Sequence, residues 1–167
     1  MTEFSFPEHS TELLETLRDG RVLIGVTDGV ETNLITVGWG FLGYTWNRPV
    51  FIAMIRPSRF THDFFRSSDG FSVNFMSAKW QEALDFCGTR SGKYFDKFKE
   101  TGLTAREGLS PSIVVVDEAD KVLECRVVSK EALTPLALNG SIASTFYGDN
   151  SYHSLIFGEI TDSYTLP

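Results

Sequence analysis

The stretch RVLIGVTDGVETNLITVGWG, residues 21–40, limits the fold more than any other. Two runs rich in Val, Ile, Leu and Thr flank Asp28-Gly29, a pair that readily adopts the positive-φ geometry of a hairpin. They predict two antiparallel strands side by side, joined by a connection longer than two residues. Short apolar or β-branched runs bounded by turn residues recur along the chain. PVFIAMI (49–55) opens on Pro49, where a strand tolerates proline, and FSVNF (71–75) follows. SIVVVDEADKVLECRVVSK (112–130) reads as a second hairpin. In it Leu123, Cys125 and Val127 alternate with Glu124, Arg126 and Val128, which predicts one buried and one wetter face. YHSLIFGEITDSY (152–164) is the final predicted strand, with His153 inside it. The alternation there sets His153, Leu155 and Phe157 on an inward or interface face.

Helices are predicted between these strands. Leu13, Leu14 and Leu17 share one face over residues 9–19, ending at Gly20. Phe60, Phe64 and Phe65 predict a helix from Arg59 to Ser68, stopped by Gly70. Trp80, Ala83, Leu84 and Cys87 repeat at i, i+3, i+4 and i+7 before Gly88. Phe95 and Phe98 mark the inner side of a short helix in YFDKFKETG (94–102). Residues 132–151 are the least periodic and predict a loop. Strands without βαβ alternation, with helices inserted, predict a small closed barrel with helical decorations. A chain of 167 residues suits one domain, 1–167, burying about two-thirds of its unfolded surface.

Charge narrows the choice of ligand. The net charge of −7 argues against nucleic acid or an anionic membrane as a partner, yet residues 48–99 alone carry +4, nine Arg or Lys against five Asp or Glu. An acidic chain with one basic segment points to a compact anion site. Arg66, Lys79 and Lys99 fit plain solvation. No apolar run approaches the ~20 residues of a membrane span, and the N-terminus lacks the pattern of a signal peptide. Cys87 and Cys125 have no metal-ligand spacing, so a cytoplasmic, reducing setting is expected.

Within the basic segment, IRPSRFT (55–61) places Arg56, Ser58, Arg59 and Thr61 where a buried strand meets a predicted helix start. Unpaired N–H groups, hydroxyls and guanidinium forks suit a phosphate; an ordinary N-cap at Ser58 with surface arginines is the alternative. TRSGKYFDKF (89–98) adds Arg90, Ser91, Gly92, Lys93 and Lys97 on a glycine-containing loop. Asn33 and Thr36 end a strand, followed by Gly38 and Gly40 around Trp39, where backbone and ligand can approach closely or a bulge can form. No nucleophile–base pair, carboxylate pair or dinucleotide fingerprint is present. The chemistry is therefore expected of a bound cofactor.

NLITVGWG, PVFIAMIRPSRFTHDF, FSVNF, FCGTRSGKYFDKF and YHSLIFGEI, in that order over residues 20–163, resemble the flavin reductase-like, FMN-binding split-barrel family (flavoredoxin-like). The resemblance implies a six-stranded antiparallel Greek-key split barrel, a homodimer, and FMN held non-covalently near the subunit boundary. It implies that Asn33, Leu34, Ile35 and Thr36 line the isoalloxazine. It also implies that Arg56, Ser58, Arg59 and Thr61 grip the ribityl phosphate, that Ser91, Gly92, Lys93 and Lys97 close over the flavin, and that His153 stands close to the ring. Ile35 replaces a frequent Met, and Tyr94 replaces a frequent acidic residue. Two functions follow as expectations. One is electron transfer from NAD(P)H or a redox-protein donor through FMN to an acceptor, with Lys97 or His153 stabilising negative charge on the reduced ring. The other is a non-enzymatic module holding another anionic ring ligand, haem or pyridoxal phosphate, with His62 as the residue that keeps haem in play.

Overall fold

The structure, a computed structural model, describes residues 1–167. Strand β1 (Thr2–Glu3) precedes helix α1 (Phe6–Arg18), and β2 (Val22–Thr27) and β3 (Thr32–Val37) form the expected hairpin. β4 (Gly40–Thr45), β5 (Arg48–Ile55), the single turn α2 (Thr61–Phe64) and β6 (Gly70–Phe75) follow. Next come α3 (Gln81–Thr89), α4 (Lys97–Thr101), β7 (Ala105–Glu107) and β8 (Val114–Val116). β9 (Lys121–Ala132), α5 (Gly140–Phe146) and β10 (Ser154–Thr165) complete the chain.

The main sheet is antiparallel throughout and runs β3-β2-β6-β9-β10-β5-β4, with β1 added beside the end of β10. It curls without closing, because β3 and β4 are both edges. This is a split barrel, as the family resemblance implies, and not the closed barrel expected from the strand pattern. The chain passes from one edge to the other through Gly38-Trp39, and the two strands form no ladder with each other.

Seven strands lie on the main path where six were expected, and β4 is the one without a sequence signature. GFLGYT carries two glycines and no alternation, and its hairpin with β5 turns on Trp46-Asn47, with no glycine. Both turn residues take positive φ, 51° and 55°, as a two-residue primed turn requires. A ribbon of β7 and β8 also differs from expectation: β8 pairs with β7, and β9 pairs with β6 and β10.

Alternation places two apolar clusters on opposite faces. Val22, Ile24, Val26, Ile35 and Val37 point into the barrel with Phe51, Phe71 and Ile156. Leu23 and Leu34 point outward beneath α3, where Ala83, Leu84 and Cys87 cover them with Val115 and Val116. β2, β3 and β6 are covered on both sides; β2 reads as a nearly continuous apolar run, whereas β6 alternates and buries Ser72 and Asn74 by hydrogen bonds to the carbonyls of Val114 and Leu23.

Four local expectations change. α1 starts at Phe6, three residues before the expected His9, because Pro7 occupies its first turn, where the missing N–H costs nothing. The helix expected over Arg59–Ser68 is one turn. N–H groups of Arg59, His62, Asp63, Phe65, Arg66 and Ser67 each reach the carbonyl three residues back. These tight turns bury Phe64 and Phe65 without a full helix, and Phe60, not Ser58, stands at the cap position. Residues 140–146, expected as loop, form α5. Asn139 caps it, its Oδ1 accepting from the Ser141 N–H at 2.9 Å. Finally, Glu124 is fully buried. Its carboxylate accepts from the N–H groups of Leu109 (2.6 Å) and Ser110 (2.7 Å) and from the Tyr164 hydroxyl (2.6 Å). Those bonds, absent from any alternation pattern, hold a carboxylate on what reads as the wet face.

Candidate functional site

A groove follows the split in the barrel. Its walls are the end of β3 with Gly38 and Trp39, the end of β5, the turn at 58–61, and the loop after α3. One end, about 220 Å³, is lined by Ile35, Thr36, Val37, Trp39, Met54, Arg56 and His153. The other, about 80 Å³, is lined by Ser58, Thr61, Thr89, Arg90, Ser91, Gly92 and Lys97. Ile35 and Arg59 belong to both ends, and no Asp or Glu lines either. The groove is thus half apolar at one end, where Trp39, Met54 and Val37 stand beside Arg56 and His153, and cationic and hydroxyl-rich at the other.

Local hydrogen bonds fix its walls. Asn33 is buried, and its Nδ2 donates to Thr61 Oγ1 at 2.9 Å, tying β3 to the turn after β5. Thr36 Oγ1 donates to the Leu84 carbonyl at 2.5 Å, tying β3 to α3. Lys97, 5% exposed, inserts its ammonium beneath the groove and donates to the carbonyls of Leu34 (2.6 Å) and Cys87 (2.7 Å). Burial pushes its pKa down to about 8, the Arg59 charge acting in the same sense. Glycine is required at 92, since a Cβ there would lie 2.2 Å from Asn33 Oδ1.

The two central arginines differ. Arg56 is engaged: Nη1 donates to both carboxylate oxygens of Asp149 at 3.2 Å, and Nη2 to the Phe146 carbonyl at 2.7 Å. Arg59 is exposed and makes one long bond, Nη1 to the Gly88 carbonyl at 3.3 Å. Ser58 is exposed beside it.

His153 lies one residue before β10, not within it. The inward face of β10 carries Ile156, Gly158 and Ile160, so Leu155 and Phe157 lie on the outer, half-buried face. His153 is nonetheless buried. Its ring stands 5.3 Å from that of Trp39, and Nδ1 is 2.8 Å from the Tyr147 hydroxyl oxygen. Burial, with the Arg56 and Arg59 charges, pushes its pKa down to about 4, so the imidazole is neutral at pH 7.

Three of the expected site residues sit off the groove. The Leu34 side chain packs beneath α3, and only its carbonyl approaches. Asn33 and Lys93 line a neighbouring cleft of about 510 Å³ with Phe60, Tyr94 and Phe95. That cleft is larger but holds Glu31 and Asp96, so its charge does not suit an anion as the groove's does. His62 faces another side, with Nε2 2.9 Å from Ser154 Oγ. Tyr147 and Asp149 reach the site from the stretch without periodicity, which offers no signal for them. Trp39 is visible in the sequence only as the residue between two glycines.

Comparisons with known proteins agree with this fold. A family model described as "Flavin reductase like domain" matches residues 15–166. Flavoredoxin from Methanosarcina acetivorans superimposes with a TM-score of 0.69 at 24% identity, covering 86% of this chain and 67% of that one. Flavoredoxin of Desulfovibrio vulgaris (Miyazaki F) gives 0.68 at 19% identity, covering 86% and 68%. The NADH:FAD oxidoreductase SgcE6 of Streptomyces globisporus C-1027 gives 0.66 at 16% identity, covering 100% and 89%. No protein with a curated description matches significantly. With the model spanning all but the first 14 residues and the last, this split-barrel chain belongs to the flavin reductase like domain family.

Proposed function

We propose that the chain is a flavoprotein of the flavin reductase type that holds FMN non-covalently in the groove and passes electrons from NAD(P)H or a redox-protein donor to an acceptor. The observation that carries this is the groove's two-ended lining without a carboxylate. A flat apolar ring joined to a phosphate has the same two-ended character. Arg59, Ser58, Thr61 and Ser91 would hold the phosphate through charge-assisted and hydroxyl hydrogen bonds, with Arg56 adding its charge from the other end of the groove. Ile35, Thr36, Val37 and Trp39 would hold the ring. Bound FMN supplies the capacity to accept a hydride and release electrons singly or in pairs.

The chain's own groups set the electrostatics. Lys97 places a buried ammonium under the groove, which favours negative charge above it. Neutral His153 adds a polar ring nitrogen without a second buried charge. Trp39 and Met54 give the apolar end a surface for a flat ring.

A homodimer of this single domain, in a cytoplasmic setting, accords with the exposed aromatic edge at β4 and with two buried free thiols, Cys87 and Cys125. The function is tested by mixing the FMN-loaded protein anaerobically with NADH and with NADPH while following flavin absorbance. Bleaching with either supports a nicotinamide-dependent reductase. Bleaching only with a reduced redox protein supports the carrier form, and no bleaching with any donor removes the redox assignment.

A further inference from the structure

Tyr147 lines neither end of the groove, yet it is buried in a segment whose neighbours Ser144, Thr145, Phe146, Gly148 and Asp149 are all exposed. Its ring stacks on Tyr152 (4.9 Å, 14°) and faces the Arg56 guanidinium at 5.3 Å. Arg56 grips the chain on both sides of it, at the Phe146 carbonyl and the Asp149 carboxylate. The hydroxyl so placed meets one partner, His153 Nδ1, at 2.8 Å.

The direction of that bond follows from chemistry. A phenol donates well and accepts poorly, whereas the bare nitrogen of a neutral imidazole accepts well. Burial first, and then the Arg56 and Arg59 charges beside it, keep the ring neutral, while the only acid of the segment, Asp149, is taken by Arg56. With Nδ1 accepting, the imidazole hydrogen sits on Nε2, the nitrogen left to the groove.

We propose that Tyr147 is a positioning residue: by donating to Nδ1 it fixes His153 as the neutral Nε2–H tautomer, so that the groove receives a hydrogen-bond donor and not a base. The tautomer stands on the chain alone; its consequence for electron transfer rests on the FMN reading.

Two measurements test it. In ¹⁵N-histidine NMR of the full, flavin-free chain, His153 should show a bare Nδ1 and a protonated Nε2. Tyr147→Phe, which keeps the stacked ring, should give mixed tautomers and a titration midpoint moved up toward that of an ordinary histidine. A protonated Nδ1 in the wild type, or identical spectra in Tyr147→Phe, overturns the proposal. In the FMN-loaded protein, the amide nitrogen of His153→Gln reaches the Nε2 position, whereas that of His153→Asn reaches Nδ1. His153→Asn should therefore slow flavin reduction about tenfold, the weight of one lost neutral hydrogen bond, and His153→Gln distinctly less. Equal or reversed losses overturn the proposal. Should the chain bind no FMN, the redox reading fails while the NMR result still decides the tautomer.

Discussion

Arg56 and Arg59 look equivalent in the sequence and are unequal in the structure. Removing one charge-assisted phosphate contact costs roughly 1.5–3 kcal/mol, or about 10- to 150-fold in affinity. Arg59 is uncommitted apart from one 3.3 Å bond, so it would give that interaction in full. Arg56 must exchange Asp149 for the ligand, which offsets part of its gain. Both Ala variants should weaken FMN binding, Arg59→Ala more strongly; equal retention in both variants and wild type, measured by fluorescence titration, would remove the phosphate assignment. His153 supplies a pH signature at the same scale. Its folded value of about 4 lies below the ordinary histidine value near 6.5. Its stabilising contribution is therefore complete above pH 6.5 and lost as pH falls toward 4. Urea unfolding should show a smaller loss over that window in His153→Asn than in the wild type. Equal slopes would show that the ring titrates normally.

At the scale of elements, a strand is legible in the sequence when the reason for its residues lies within its own pattern. β2 and β3 are readable because their apolar runs meet both clusters, and β5 because Phe51, Ala53 and Ile55 alternate into the barrel. β4 is not, because an edge strand needs no alternation and its turn relies on Trp46 and Asn47 in place of glycine. Glu124 reads as solvated because its partners, Leu109, Ser110 and Tyr164, are 14 to 40 residues away in the chain. α5 reads as loop because it is almost entirely exposed and so has no apolar stripe. The groove is legible in its cations and hydroxyls, not in the segment that carries Tyr147 and Asp149. Glu124→Leu tests the buried carboxylate's role. It leaves two backbone N–H groups and a phenol without their acceptor, each worth about 1–3 kcal/mol when buried. The variant should unfold at markedly lower denaturant concentration; wild-type stability would mean that the 108–112 loop finds other partners.

For the whole molecule, the split leaves β4 as an open edge beside exposed aromatic side chains: Trp39, Phe41, Tyr44 (66% exposed), Trp46 (59%) and Phe146. An apolar sheet edge of this kind is a pairing surface. Trp39 and Phe146 also border the groove through their mutual contact at 5.1 Å, so a second subunit on this edge would help cover the ring end. The chain should run as a dimer at micromolar concentration by light scattering, and Phe41→Lys with Tyr44→Lys should shift it toward monomer. A monomeric wild type with FMN still bound would refute the shared-edge arrangement. Redox chemistry of this kind requires the cationic, carboxylate-free groove to be a flavin site, which calorimetric titration of the flavin-free protein with FMN decides. One FMN should bind per chain, with affinity reduced at least about tenfold in Arg59→Ala; no binding, or binding indifferent to both Arg56→Ala and Arg59→Ala, would contradict the flavin assignment.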